Sequence, residues 1–166
     1  MRTRYWFFFY EITYKSYYYK SFQMLFLFIN WCISAFLSLT TLSCITAWSF
    51  WNDHATIWAI IICASQILQA LFPKLPYNDL LISNRFMVCA LDKLLLDIER
   101  TWLTIDLHNL PDDEILNQLT IYQQRYSDLV NQFFSGEYLP SIILCEKSAE
   151  KYAQTYFSNN YQTERM

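Results

Sequence analysis

The sequence predicts an all-α membrane protein: an N-terminal two-helix transmembrane hairpin followed by a cytosolic, coiled-coil-like helical tail. Three observations predict it. Of the 53 residues from Ser21 to Pro73 only Asp53 carries a formal charge, whereas eight Lys/Arg and thirteen Asp/Glu follow from Lys74 onward. Charged residues make up 16% of the 166-residue chain, against the quarter usual in water-soluble domains. Beyond the apolar stretch the hydrophobic residues recur at helical, seven-residue spacing. The chain is therefore expected in three segments: an aromatic and basic leader at the membrane interface (1–21), the hairpin (22–73) and the helical tail (74–166).

The leader is unusual. Residues 5–19 contain ten aromatics, interrupted by Glu11 and Lys15 and followed by Lys20, which suits a headgroup-level segment where amphipathic rings and snorkelling lysines are stable. Arg2 and Arg4 precede an apolar run far longer than a signal-peptide core, so a retained signal anchor is expected.

The run Phe22 to Trp51 would extend about 45 Å as a helix, more than the roughly 30 Å hydrocarbon core requires. The first crossing is expected at about Phe28 to Trp48. Asn52, Asp53 and His54 make a short polar turn, flanked by Trp48, Trp51 and Trp58 as in an interfacial belt. Ala55 to Phe72 supplies a second span, which Pro73, Lys74 and Pro76 end. Basic residues flank the hairpin on one side (Arg2, Arg4, Lys15, Lys20; Lys74, Arg85) and are absent from its turn. That asymmetry predicts a multi-pass protein of the plasma membrane with both termini cytoplasmic.

In the tail, a helix from about Asn78 to Leu107 carries Leu81, Val88, Leu95 and Trp102 at heptad spacing, interleaved with Leu91, Ile98 and Ile105. Such a seam fits a partner helix, so a homo-oligomer is expected. Pro111 with Asp112, Asp113 and Glu114 opens the next helix, since proline tolerates the first turn and carboxylates favour its positive end. Ile115, Leu119, Tyr122, Tyr126, Leu129 and Phe133 continue the pattern until Gly136 and Pro140. A last helix is expected over about Ser141 to Phe157, with 158–166 fraying.

Inside the hairpin, Asn30, Ser34, Ser38 and Thr41 fall on one helical face, and Gln66 and Gln69 lie one turn apart on the second span. Hydrocarbon cannot satisfy their donors and acceptors. Either they pack helix against helix through interhelical hydrogen bonds, or they line an aqueous lumen formed by several copies. Asp53 and His54 read as a water-solvated interfacial cap.

No chemistry-bearing constellation stands out. One glycine, Gly136, is too few for a phosphate cradle or a dinucleotide fingerprint and leaves no Ser or Cys in a nucleophile elbow. The cysteines at 32, 44, 63, 89 and 145 lack CxxC spacing and read as small hydrophobes. His108 stands alone between helices, and Asp97, Glu99, Asp112, Asp113 and Glu114 read as solvated helix faces. The chain is thus not expected to be an enzyme, with no catalytic, cofactor-binding or metal-ligating residue. No basic patch points to a direct nucleic-acid site.

The tight hairpin with Trp near its turn, the exit "ALFPKLP", the long helix, "QQRYSDLVNQF" and "EKSAEKYAQTYF" together resemble the SLATT family, two-transmembrane effectors of bacterial antiphage defence. The similarity runs from about residue 22 to the end, with Tyr126, Leu129 and Tyr152 its most familiar positions, and leaves residues 1–21 outside. It implies a toxic, pore-forming effector that oligomerises in the inner membrane. It also implies a silencing partner: a reverse transcriptase with its DNA–RNA product in a retron, or a sensor in a nucleotide-signalling system. The competing expectation is a non-toxic two-span anchor whose helical tail docks a cytosolic complex. A lipid or nucleotide enzyme is disfavoured by the missing glycines and nucleophile.

Overall fold

The structure, a computed structural model, describes residues 1–46, 55–71, 77–108, 110–134 and 140–161. Among them the chain is all-helical: α1 (Arg2–Thr46), α2 (Ala55–Leu71), α3 (Tyr77–His108), α4 (Asp112–Phe134) and α5 (Ile143–Tyr161). Among the described residues, Pro111 and Pro140 fall just outside the helices, where a missing N–H does least damage.

The chain forms two compact units. The first comprises Met1–Met24 with Leu81–Met166, the second Leu25–Leu80. This division differs from the three segments expected, because α1 runs unbroken through residue 21. The expected boundary marked a change of composition, and no proline or glycine stands there to stop a helix.

In the first unit the aromatic segment is the centre of a four-helix core. Tyr5, Phe9, Ile12 and Phe22 are fully buried, as are Met87, Leu91, Ile98 and Ile105 of α3. Ile115 and Leu119 of α4, with Ala149 and Ala153 of α5, close the remaining sides. Each large side chain so buried contributes about 1.5–3 kcal/mol by leaving water. Three of the ten rings expected at headgroup level, Tyr5, Phe8 and Phe9, are thus buried in protein, whereas Phe7 is exposed.

Contacts fix the order of the helices. Tyr5 donates to the Ile98 carbonyl (3.0 Å), Ser16 to Asp92 (2.9 Å), and Asn84 to the Tyr19 carbonyl (3.1 Å). As α1 advances its α3 partners recede, so the two are antiparallel. Tyr5 meets Tyr122 edge-on and Tyr19 stacks on Phe134, making α4 parallel to α1. Trp6 meets Phe157, and Tyr17 stacks on Tyr152, making α5 antiparallel to it. The Tyr18 hydroxyl donates to the Pro140 carbonyl (2.6 Å) and accepts from the Ile142 N–H (3.3 Å), fixing where α5 begins.

The last helix extends to Tyr161, four residues beyond its expected end. Tyr161 lies edge-on to Trp6 at 5.2 Å and to Phe9 at 5.8 Å, so tertiary packing carries the helix through a polar sequence that composition marks as a frayed end.

The second unit holds Leu25–Thr46 of α1, α2 and the start of α3. One helix among the described residues is long and apolar enough to cross a membrane: α1, whose most apolar stretch has a mean hydropathy of 1.8 and is only 6% buried by the chain itself. The apolar part of α2, Ala59–Leu71, is shorter.

Candidate functional site

The second unit turns its apolar side chains outward. Phe28, Trp31, Phe36 and Leu39 on α1 and Ile57, Ile60, Ile67 and Leu71 on α2 are exposed, Trp31 by 66%. Large apolar side chains exposed in such number mark a membrane or partner contact. Among the described residues of this unit, the side chains that are buried are small and polar, Thr40 and Ser65. Each satisfies its hydroxyl on its own helix, Thr40 on the Leu37 carbonyl (2.9 Å) and Ser65 on the Ile62 carbonyl (2.8 Å). Small hydroxyl residues with internally satisfied groups suit close helix contact in lipid. Sequence reasoning missed both; the flanking small residues Ala64 and Thr41 were the available signal.

Of the polar stripe, Asn30 is half-buried while Ser34 and Ser38 are exposed, and Ser38 donates to the Ser34 carbonyl at 2.8 Å. Gln66 and Gln69 are exposed on α2. The side chain of Thr41 and the turn residues Asn52, Asp53 and His54 lie outside the described residues, as do Trp48, Trp51 and the Trp58 side chain. Ser34, Ser38, Gln66 and Gln69 therefore stand on the unit's surface.

The seam expected to receive a partner helix is met by the chain's own first helix. Leu91 and Ile98 are fully buried, and Leu81, Val88, Leu95 and Trp102 are half-buried. Trp102 stacks on Tyr5 at 6.0 Å and tilts against Trp6 at 4.8 Å. Residues 1–24 pack beside this heptad face, and their aromatics carry no heptad of their own to announce it.

Among the acidic residues, Glu99 is more than a solvated face. It accepts from the Tyr156 hydroxyl (2.7 Å) and the Tyr161 hydroxyl (3.0 Å), tying α5 to α3. Burial, then the adjacent Glu99 carboxylate, pushes both phenols well above their ordinary pKa. Asp92 takes both Ser16 and the Lys20 ammonium (2.7 Å). Asp97 lies 3.5 Å from Arg125, and Asp112 lies 3.5 Å from the terminal amine of Met1. Among the described residues no three His, Cys, Asp or Glu are placed to share a metal ion, and His108 is exposed. Tyr126 sits under the Lys15 ammonium at 4.5 Å and Leu129 is half-buried, whereas Tyr152 is 56% exposed against Tyr17.

Beside the core, an open groove of about 1100 Å³ runs between α1, α3 and α5, floored by Trp6, Trp102 and Phe157 and edged by Arg2, Asp106 and Tyr161. Arg2 donates to the Ile105 carbonyl at 3.4 Å. Comparison with family models, curated proteins and solved structures gives no match.

Proposed function

We propose that the chain is a membrane-disrupting effector. On this reading the second unit inserts into a bacterial inner membrane as a two-helix hairpin with both termini cytoplasmic, and copies then assemble to breach the bilayer. The observation that carries the reading is the outward-facing apolar surface of α1, 6% buried over its most apolar stretch. Leaving such area in water costs roughly 25 cal/mol per Å², and lipid removes that cost. The polar side chains on the same unit supply the second half of the argument. Asn30, Gln66 and Gln69 would meet hydrocarbon in a lone inserted copy, where an unmet amide is expensive; a neighbouring copy or a water-filled path satisfies them. On the resemblance to SLATT effectors, we propose a role in antiphage defence, with a retron reverse transcriptase and its DNA–RNA product, or a nucleotide-signalling sensor, as the silencing partner. No chemical transformation enters this account.

Inducible expression of the chain alone tests it. Growth arrest with collapse of a membrane-potential dye signal is the expected result. Full polarisation despite confirmed insertion would overturn it in favour of the anchor reading. That second reading has its own support: the first unit closes a core on itself, as a ready-made docking module would.

A further inference from the structure

One face of α3 is both apolar and basic, and the chain leaves it uncovered. Ile82, Cys89, Leu96 and Leu103 repeat at intervals of seven over about 32 Å of helix, and all four are exposed, Leu96 by 65%. Arg85, Lys93 and Arg100 stand among them and are exposed as well. Among the described residues none of the three is ion-paired. The acidic residues that border the face are already engaged by the chain, Asp92 by Lys20 at 2.7 Å and Asp97 by Arg125 at 3.5 Å. Phe86 stacks on Phe133 of α4 at 6.4 Å and so bounds the face on one side. At the far end Leu103 also lines the aromatic groove beside Trp102, so the apolar row runs into that groove.

We infer that this face docks an acidic amphipathic helix of a partner protein, one that carries Leu or Ile at heptad spacing and Glu or Asp opposite Arg85, Lys93 and Arg100. Every residue used lies in the first unit, so the inference stands apart from what the second unit does in a bilayer. The apolar row supplies the seven-residue anchors by which one helix reads another. The cations select the partner's charge. A purely apolar helix would strip water from Lys93 and Arg100 and give nothing back, which is costly for an unpaired ion. A second copy of the same face would bring three more cations and no anion. Nucleic acid would meet the positive charges but set leucines against phosphates. Carboxylates beside an apolar seam neutralise the cations while the leucines interdigitate, as charges flanking a coiled coil do. The groove then takes a large apolar side chain near one end of the partner, against Trp6 and Trp102.

Cys89 lies within the row and reports its occupancy. The full chain in nonionic detergent is treated with a maleimide, and modification of Cys89 is read by mass spectrometry. The probe is a synthetic helix of about three heptads with Leu along its seam and Glu beside it. This peptide should protect Cys89, protection should weaken as salt rises, and the same peptide with Lys in place of Glu should not protect. Lys93→Glu/Arg100→Glu should weaken the Glu peptide by about tenfold and make the Lys peptide the better ligand. Both residues are exposed, so circular dichroism of that variant should match the parent. Equal protection by both peptides, protection by neither, or a preference that survives the charge reversal overturns the inference. So does protection without peptide: shielding that grows with chain concentration assigns the face to a second copy, and shielding by added phosphatidylglycerol assigns it to lipid.

Discussion

Two phenylalanines two residues apart, Phe7 and Phe9, decide whether the aromatic segment is core or membrane-surface anchor. Phe9 is fully buried, with ring centroids 5.0 Å from Phe157 and 5.8 Å from both Trp6 and Tyr161, whereas Phe7 is 67% exposed. Phe9→Ala removes a ring from a packed site and leaves a cavity, a loss of about 3–5 kcal/mol. Phe7→Ala removes one from the surface and should stay within about 0.5 kcal/mol. In a chain of this size each kcal/mol shifts the melting midpoint by roughly 2–4 °C, so Phe9→Ala should lower it by roughly 6–20 °C and Phe7→Ala hardly at all. The assay is thermal unfolding of the full chain in mild detergent, followed by near-ultraviolet circular dichroism from Trp6 and Trp102. Equal shifts for the two variants would refute the reasoning, since adjacent rings in a headgroup layer are interchangeable anchors.

Alkaline pH provides a further test of the same unit. Tyr156 and Tyr161 have folded pKa values raised above the ordinary 10.0, so their contribution is complete below pH 10 and drains away as pH climbs toward the folded values. Denaturant midpoints should be flat from about pH 7 to 9 and fall above 10, and Tyr156→Phe/Tyr161→Phe should flatten that fall; an unchanged slope in the double variant would rule the pair out. In the bilayer, replacing Asn30, Ser34 and Ser38 with Leu should abolish dye leakage from vesicles while insertion persists, because Leu enters a span more readily than Asn or Ser. Oligomer size must be read alongside: intact oligomers that no longer leak indicate a lumen, and undiminished leakage shows that the stripe is not the path.

Helix positions were legible because they rest on local signals. Pro111 followed by Asp112, Asp113 and Glu114 placed the start of α4 correctly. The heptad positions Leu91 and Ile98 are buried within the chain itself. Their partner was not legible, because the pairing of residues 1–24 with α3 joins positions about 65–100 apart and depends on aromatic shape. Ten aromatics in fifteen residues have the same composition at a membrane surface and in a ring-packed core, and only contacts such as Tyr5 to Ile98 tell them apart. Glu99 escaped notice for the same reason, since its tyrosine partners lie 57 and 62 residues away.

The candidate site divides along a similar line. The polar residues of the stripe were visible as exceptions within an apolar run, and Ser34, Ser38, Gln66 and Gln69 do lie on the surface of the second unit. What the sequence could not rank was which small residues the unit buries, because Thr40 and Ser65 satisfy their hydroxyls locally and carry no pattern.

Cysteine accessibility tests the division between lipid and water most directly. Cys63 on α2 is exposed on the chain's own surface, as is Ser127 on α4. In sealed vesicles made permeable to the reagent, a charged maleimide should react at once with an introduced Ser127→Cys and fail to reach Cys63 until detergent strips the bilayer. Equal and immediate labelling at both positions would show that water, not lipid, covers the second unit.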